Sequence, residues 1–218
     1  MSVATTARPE ASVWLRLGRF AKRALMLELS VYANIGRFIA RRPAVPRGAA
    51  GFSFHKPVMT ILVIFIVLSA VEVPTFDLIV HRWPAVRITL LVLGIWGVTW
   101  MFGLLCAYLM RPHTVGPAGI RVRDGLETDI ALSWDDIASV ARNLRVDEPK
   151  SPKIEETDAS RRLLLRINNE TDVEIELERP TVVQLPGHGR FGGEQVVTAL
   201  RIWVDDPVAF MEEVRKYI

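Results

Sequence analysis

The chain has 218 residues, 50% of them hydrophobic, and a mean hydropathy of +0.24, high for a soluble protein. Its net charge of +3 is divided unevenly: residues 1–56 carry ten Arg or Lys against two acids, 57–110 two of each, and 111–218 fifteen against twenty. The basic excess belongs to the N-terminal arm, which excludes reading the high pI as a nucleic-acid signature of a folded domain. The single cysteine, Cys106, excludes a disulfide framework within the chain.

In the arm, Arg16, Arg19, Arg23, Ser30, Asn34, Arg37 and Arg41 recur at steps of three and four, with Met26 filling the gap. Val13, Leu17, Phe20, Ala24, Leu27, Val31, Ile35 and Phe38 form the opposing stripe. This spacing predicts a basic amphipathic helix over 13–42 that lies in a headgroup plane. Arg16, Arg19, Arg23, Arg37 and Arg41 would then contact anionic lipid. Packing of the apolar side on the following helices, or on a second copy, is the alternative, and the two are compatible. Pro43, Pro46, Gly48 and Gly51 end the helix and supply a linker up to residue 56. No short apolar core with a small-residue cleavage site opens the chain, so the first apolar segment is expected to act as an uncleaved insertion signal.

Residues 57–80 and 88–110 are apolar stretches long enough to cross about 30 Å of hydrocarbon at 1.5 Å per helical residue. With only 81–87 between them, they predict a transmembrane helical hairpin, since lipid offers backbone amides no other partner. Lys and Arg in the flanks (Arg37, Arg41, Arg42, Arg47 and Lys56 before; Arg111, Arg121 and Arg123 after) outnumber Arg82 and Arg87 in the loop, placing both termini in the cytoplasm.

Three polar residues fall in or beside the first span: Glu72, Asp77 and His81. Pro74 between the two acids predicts a kink. For Glu72 one reading is a protonated, structural carboxyl bonded to the second helix, for instance at Thr89. Others are a proton or ion site, or a contact with a partner. Asp77 and His81 share a face, but two ligands do not make a metal cage. On the second span Thr99, Gly103 and Ala107 form a smooth strip suited to close approach, with the first span its expected partner. Trp96 and Trp100 fall near mid-span, where packing between helices suits them.

From residue 113 the apolar period turns from helical to alternating. Strands are predicted over 120–123, 128–133, 139–145, 161–167, 172–177 and 196–204, with a turn at Asp124-Gly125, a short helical turn at 134–137 and loops at 150–160 and 186–193. Asp205-Asp206-Pro207 caps a last helix over 207–217.

Gly119-Ile120, Arg123-Asp124-Gly125, Trp134-Asp135-Asp136-Ile137 and Asp205-Asp206-Pro207, in that order, resemble the bacterial PH-like (pleckstrin-homology-like) domain over roughly 113–218. The insertion at 150–160 departs from its compact pattern. Such domains commonly sit beside a pair of membrane helices. The resemblance implies a small, strongly bent antiparallel barrel or sandwich closed by the C-terminal helix, serving in binding and assembly without conserved chemistry.

The remaining motifs carry little chemistry. His55, His81, His113 and His188 are scattered with no cysteine at ligand spacing. The Gly-rich run 187–193 lacks the Lys-Ser/Thr ending of a phosphate loop, but its His188, Arg190 and Phe191 make it the candidate recognition loop. Asn169-Glu170-Thr171 matches a glycosylation acceptor that a cytoplasmic location makes irrelevant. Cys106 reads as a small buried residue.

The sequence thus predicts three parts: a basic arm and linker (1–56), a transmembrane hairpin (57–110) and a cytoplasmic PH-like β-domain (111–218). It is read as a non-enzymatic binding or assembly module in the inner membrane, without catalytic, cofactor or metal residues. Its expected partners are anionic lipid, another membrane or cytoplasmic protein, and a second copy of itself, with no nucleic acid. The alternative is a subunit of a transport or proton-coupled system built on Glu72.

Overall fold

The computed structural model describes residues 10–148, 153–157, 160–186 and 193–218, with backbone alone at 10–16 and 19. Three long helices come first: α1 (Glu10–Ile39), α2 (Lys56–Ile79) and α3 (Pro84–Met110). Proline occupies the first turn of both α2 and α3, where its missing amide costs nothing. Both are long and apolar enough to cross a membrane, and α2 buries no residue inside the molecule. The predicted loop shrinks to 80–83, because Pro84 starts α3 a turn early. Pro74 sits inside an unbroken α2.

Helices α2 and α3 run antiparallel. A Cβ on Gly94 would lie 2.7 Å from Val73 Cγ2, and the Ser69 hydroxyl faces the Met101 sulfur at 3.8 Å. At the turn of the hairpin Arg87 grips Asp77 with two bonds of 2.6 and 2.9 Å.

The strip on α3 is filled by α1 instead of α2. A Cβ at Gly103 would sit 2.3 Å from Val31 Cγ1, so only glycine admits this β-branched side chain. Phe38 meets Phe102 edge-on at 5.9 Å. Val31 and Phe38, seven residues apart, thus meet neighbouring positions of α3. Helix α1 therefore crosses α3, about 10 Å from its C-terminal end at 1.5 Å per residue. The packed face is Leu27, Val31, Asn34 and Phe38; Leu25, Leu29, Tyr32 and Ile39 stay exposed on another side.

The β-domain has two sheets. The first is antiparallel, ordered β1 (Ala50–Phe52), β2 (His113–Gly116), β3 (Gly119–Asp124) and β4 (Thr128–Leu132). The second comprises β5 (Ile137–Arg145), β6 (Ile154–Thr157), β7 (Ser160–Leu165), β8 (Thr171–Leu185) and β9 (Gly193–Ile202), ordered β5-β8-β9-β7-β6. Its pairs are antiparallel except β7–β9, which is parallel. Val115, Ile120, Val122 and Leu132 of the first sheet share one core with Leu163, Ile175, Leu200 and Ile202 of the second. Each such side chain contributes about 1.5–3 kcal/mol on burial. The short helix α4 (Pro207–Val214) adds Phe210 and Val214 to this core, and Trp134 stacks on Tyr217 at 5.2 Å.

Several elements differ from expectation. The segment read as a linker supplies β1, which brings Phe52 against Phe210. The polar stretch 150–160 contains β6, whose Ile154 is buried while its acidic neighbours pair with arginines of β7. One apolar residue anchors that strand, too few for an alternating signal. Strand β8 runs well past 177, and α4 stops at Val214.

Candidate functional site at the helix–sheet junction

The chain enters α2 from β1 and leaves α3 into β2, and these two strands are hydrogen-bonded neighbours, with Phe52 opposite His113. Both ends of the hairpin are thereby clamped side by side. Phe54, 1% exposed, wedges between Tyr108 at 5.7 Å and His113, on which it stacks at 4.5 Å.

His113 is buried and uses both ring nitrogens. Nδ1 accepts from the Arg123 amide at 3.0 Å, and Nε2 donates to the Trp203 carbonyl at 3.1 Å. That pattern requires a neutral ring protonated at Nε2. Burial draws its pKa down to about 4.

The tandem acids cap two helices. Asp206 accepts from the Ala209 amide at 3.0 Å and starts α4. Asp205 reaches across the fold to accept from the first amides of α2, His55 at 3.1 Å and Lys56 at 3.2 Å, and from the Trp203 indole at 3.2 Å. Its own amide donates to the Ser53 carbonyl at 2.8 Å. A carboxylate at a helix N-terminus satisfies orphan amides and the helix dipole together. Nearby Asp172 is buried and accepts from the Val204 amide at 2.9 Å; burial pushes its pKa up to about 6.

A basic cluster surrounds Asp129 at the end of α3. Arg111 donates to the carbonyls of Gly125 at 3.0 Å and Leu126 at 2.5 Å, and lies 3.4 Å from Asp129. Arg121 binds the same carboxylate at 2.5 and 3.0 Å. Arg123 is 3.5 Å from it and donates to the Ala44 and Pro112 carbonyls at 2.6 and 3.1 Å. Burial alone would raise the Asp129 carboxyl, but the bond from Arg121 and the three arginine charges outweigh it and hold it low. Beside the cluster, a cleft of about 250 Å³ opens between residues 46–49 and strands β2–β4.

The sequence pattern did not reveal this cluster. Asp124-Gly125 reads as a two-residue turn, whereas the hairpin loop has three residues (125–127), with Gly125 at φ +58°. The three-residue loop pairs Arg123 with Asp129 and sets Arg121 diagonal to it. Counting that loop correctly was the available signal.

The residues singled out from sequence are scattered. Arg23 pairs with Glu127 of the β-domain through bonds of 2.6 and 2.7 Å. Arg37 and Arg41 are exposed, whereas the side chains of Arg16 and Arg19, with His188, Arg190 and Phe191, lie outside the described residues. Asp77 is taken up by Arg87, and His81 Nδ1 bonds the Leu78 carbonyl at 2.8 Å. Glu72 is exposed on α2. Thr89 donates to Ala85 at 2.9 Å and does not reach it. Trp96 is half exposed and donates to Glu28 of α1 at 2.8 Å. Among the described residues, no three His, Cys, Asp or Glu side chains gather closely enough to hold a metal ion.

Comparison with protein-family models, curated proteins and solved structures finds no match to this chain.

Proposed function

We propose that the chain is an inner-membrane protein whose α2–α3 hairpin spans the bilayer with both termini in the cytoplasm. In this reading a PH-like β-domain serves there as a non-enzymatic binding or assembly module. The carrying observation is the junction: both hairpin ends run into adjacent strands, and Asp205 of the domain caps α2. A domain bolted to its anchor is held at one distance and orientation from the bilayer. Its effective concentration for a partner in the same membrane rises accordingly.

Charge supports this orientation. Arg82 and Arg87 are the cations on the loop side, against many on the other flank. Helix α1, crossing α3 about 10 Å from its end with one apolar side exposed, suits the headgroup–acyl boundary. The partner is a protein bound at the far end of the β8–β9 hairpin. There Val182 and Val196 face each other across the strands, 59% and 42% exposed, close in sequence to the candidate recognition residues His188, Arg190 and Phe191.

The experiment is a V182E/V196E double variant isolated from native membranes. It should lose the protein that co-purifies with wild type while keeping the same melting temperature. An unchanged set of co-purifying proteins contradicts the assignment of this surface.

A second reading, a subunit of a proton-coupled system, is favoured by one observation. Glu72 stands on the exposed side of α2, and no residue of α3 answers it.

A further inference from the structure

The cleft beside the linker and the arginines at the end of α3 form one continuous feature. Pro46, Ala49 and Leu132 wall the cleft, and Arg47 and Arg121 both line it. At its base the β2–β3 turn brings the backbone close. Gly119, at φ +123°, would place a Cβ 1.9 Å from the Leu132 carbonyl oxygen, so no side chain fits there.

Positive charge exceeds negative charge at this point. Arg111, Arg121 and Arg123 share the one Asp129 carboxylate, and Arg47 is exposed. Nη1 of Arg111 and Nη1 of Arg123 donate to backbone carbonyls, and Arg111 Nη2 to Asp129. Arg121, 45% exposed at its side chain, gives Nε and Nη2 to Asp129 and keeps Nη1, and the exposed Arg47 lines the cleft with it. The Arg47 guanidinium and the remaining Nη1 of Arg121, beside a small apolar cleft, suit a tetrahedral oxyanion that carries an apolar body.

Position selects the source of that anion. Arg111 is the C-cap of α3, and it meets the same carboxylate as Arg121. Arg121 stands opposite Thr114, about 10 Å of strand beyond Arg111 at about 3.3 Å per residue, so the cleft opens near the end of a candidate span, within reach of the headgroup layer. We infer that this cleft holds the phosphate of an anionic phospholipid, with Arg47 and Arg121 as its ligands. The inference rests on the membrane placement proposed above. It adds a defined site on the β-domain to the diffuse contact of α1.

The test uses the full chain in phosphatidylcholine nanodiscs doped with phosphatidylglycerol, counting the lipids retained by native mass spectrometry. Retention of phosphatidylglycerol should fall about tenfold in R47Q/R121Q, the scale that charge-assisted hydrogen bonds to phosphate supply. It should fall likewise in A49W, which fills the cleft and leaves every charge in place. R145Q/R215Q, altered on β5 and just past α4, should retain the lipid. Unchanged retention in both cleft variants overturns the site. Displacement by millimolar glycerol 3-phosphate overturns the lipid assignment in favour of a soluble phosphoester. Failure of the chain to enter nanodiscs at all overturns the membrane placement, and this inference with it.

Discussion

At the junction, two buried groups respond to acid with opposite sign. His113 titrates near 4 when folded and near 6.5 when unfolded, so the unfolded chain binds the extra proton between those values. Its contribution to stability is complete above about pH 6.5 and is lost as pH falls toward 4. Asp172 titrates near 6 when folded against 3.8 unfolded, so the folded chain binds the extra proton in that window. Its burial destabilises the protein increasingly as pH rises toward 6. The two slopes oppose each other, and wild type should melt at nearly constant temperature between pH 4 and 6. Asp172→Asn should raise the melting temperature at pH 7 and uncover a steep fall between pH 6.5 and 4. A variant as flat as wild type contradicts the assignment.

Asp205→Ala removes the side-chain cap on α2 and should cost about 1–2 kcal/mol, read as a lower denaturation midpoint. Glu72→Gln should leave folding and membrane insertion unchanged, because no partner within α3 is lost. Loss of function in that folded variant would favour proton chemistry, whereas full activity in cells would leave the binding-module reading standing alone.

Among elements, the seating of α1 on α3 depends on a single small residue. Gly103→Val places a β-branched side chain where Val31 already lies and should unseat α1, exposing 10–39 to limited proteolysis. Adding Val31→Ala should partly restore protection. Equal protection in the single variant and wild type would show that α1 is held elsewhere. The Arg23–Glu127 pair, about one-third exposed on each side, is worth no more than about 1 kcal/mol and cannot hold the helix alone.

Periodicity made the long elements legible. Length and hydropathy gave α2 and α3, the polar stripe gave α1, and Asp206-Pro207 gave the start of α4. What stayed hidden depends on tertiary pairing. Strand β1 is three residues among prolines and glycines, and becomes a strand only because β2 lies alongside it. The Gly103 strip was visible, but a strip of small residues does not say which helix will use it. In the sequence Asp205 reads as part of a local cap, whereas the helix amides it caps lie about 150 residues away.

For the whole molecule, hairpin and β-domain form one rigid piece. The β9–α4 connection supplies the cap of α2, β1 and β2 fasten the two open ends of the hairpin together, and Arg111 ties the end of α3 to the β3–β4 loop. In the proposed placement, a partner would meet a surface fixed relative to the bilayer, beside the basic cleft. The account stands or falls with the side on which the β-domain sits. The direct measurement is labelling of intact cells with an impermeant maleimide, using Cys106→Ala chains that carry Trp83→Cys or Val182→Cys. The account predicts that position 83 reacts from outside, and that position 182 reacts only after the membrane is opened. Labelling of 182 in intact cells, or protection of 83, would contradict it.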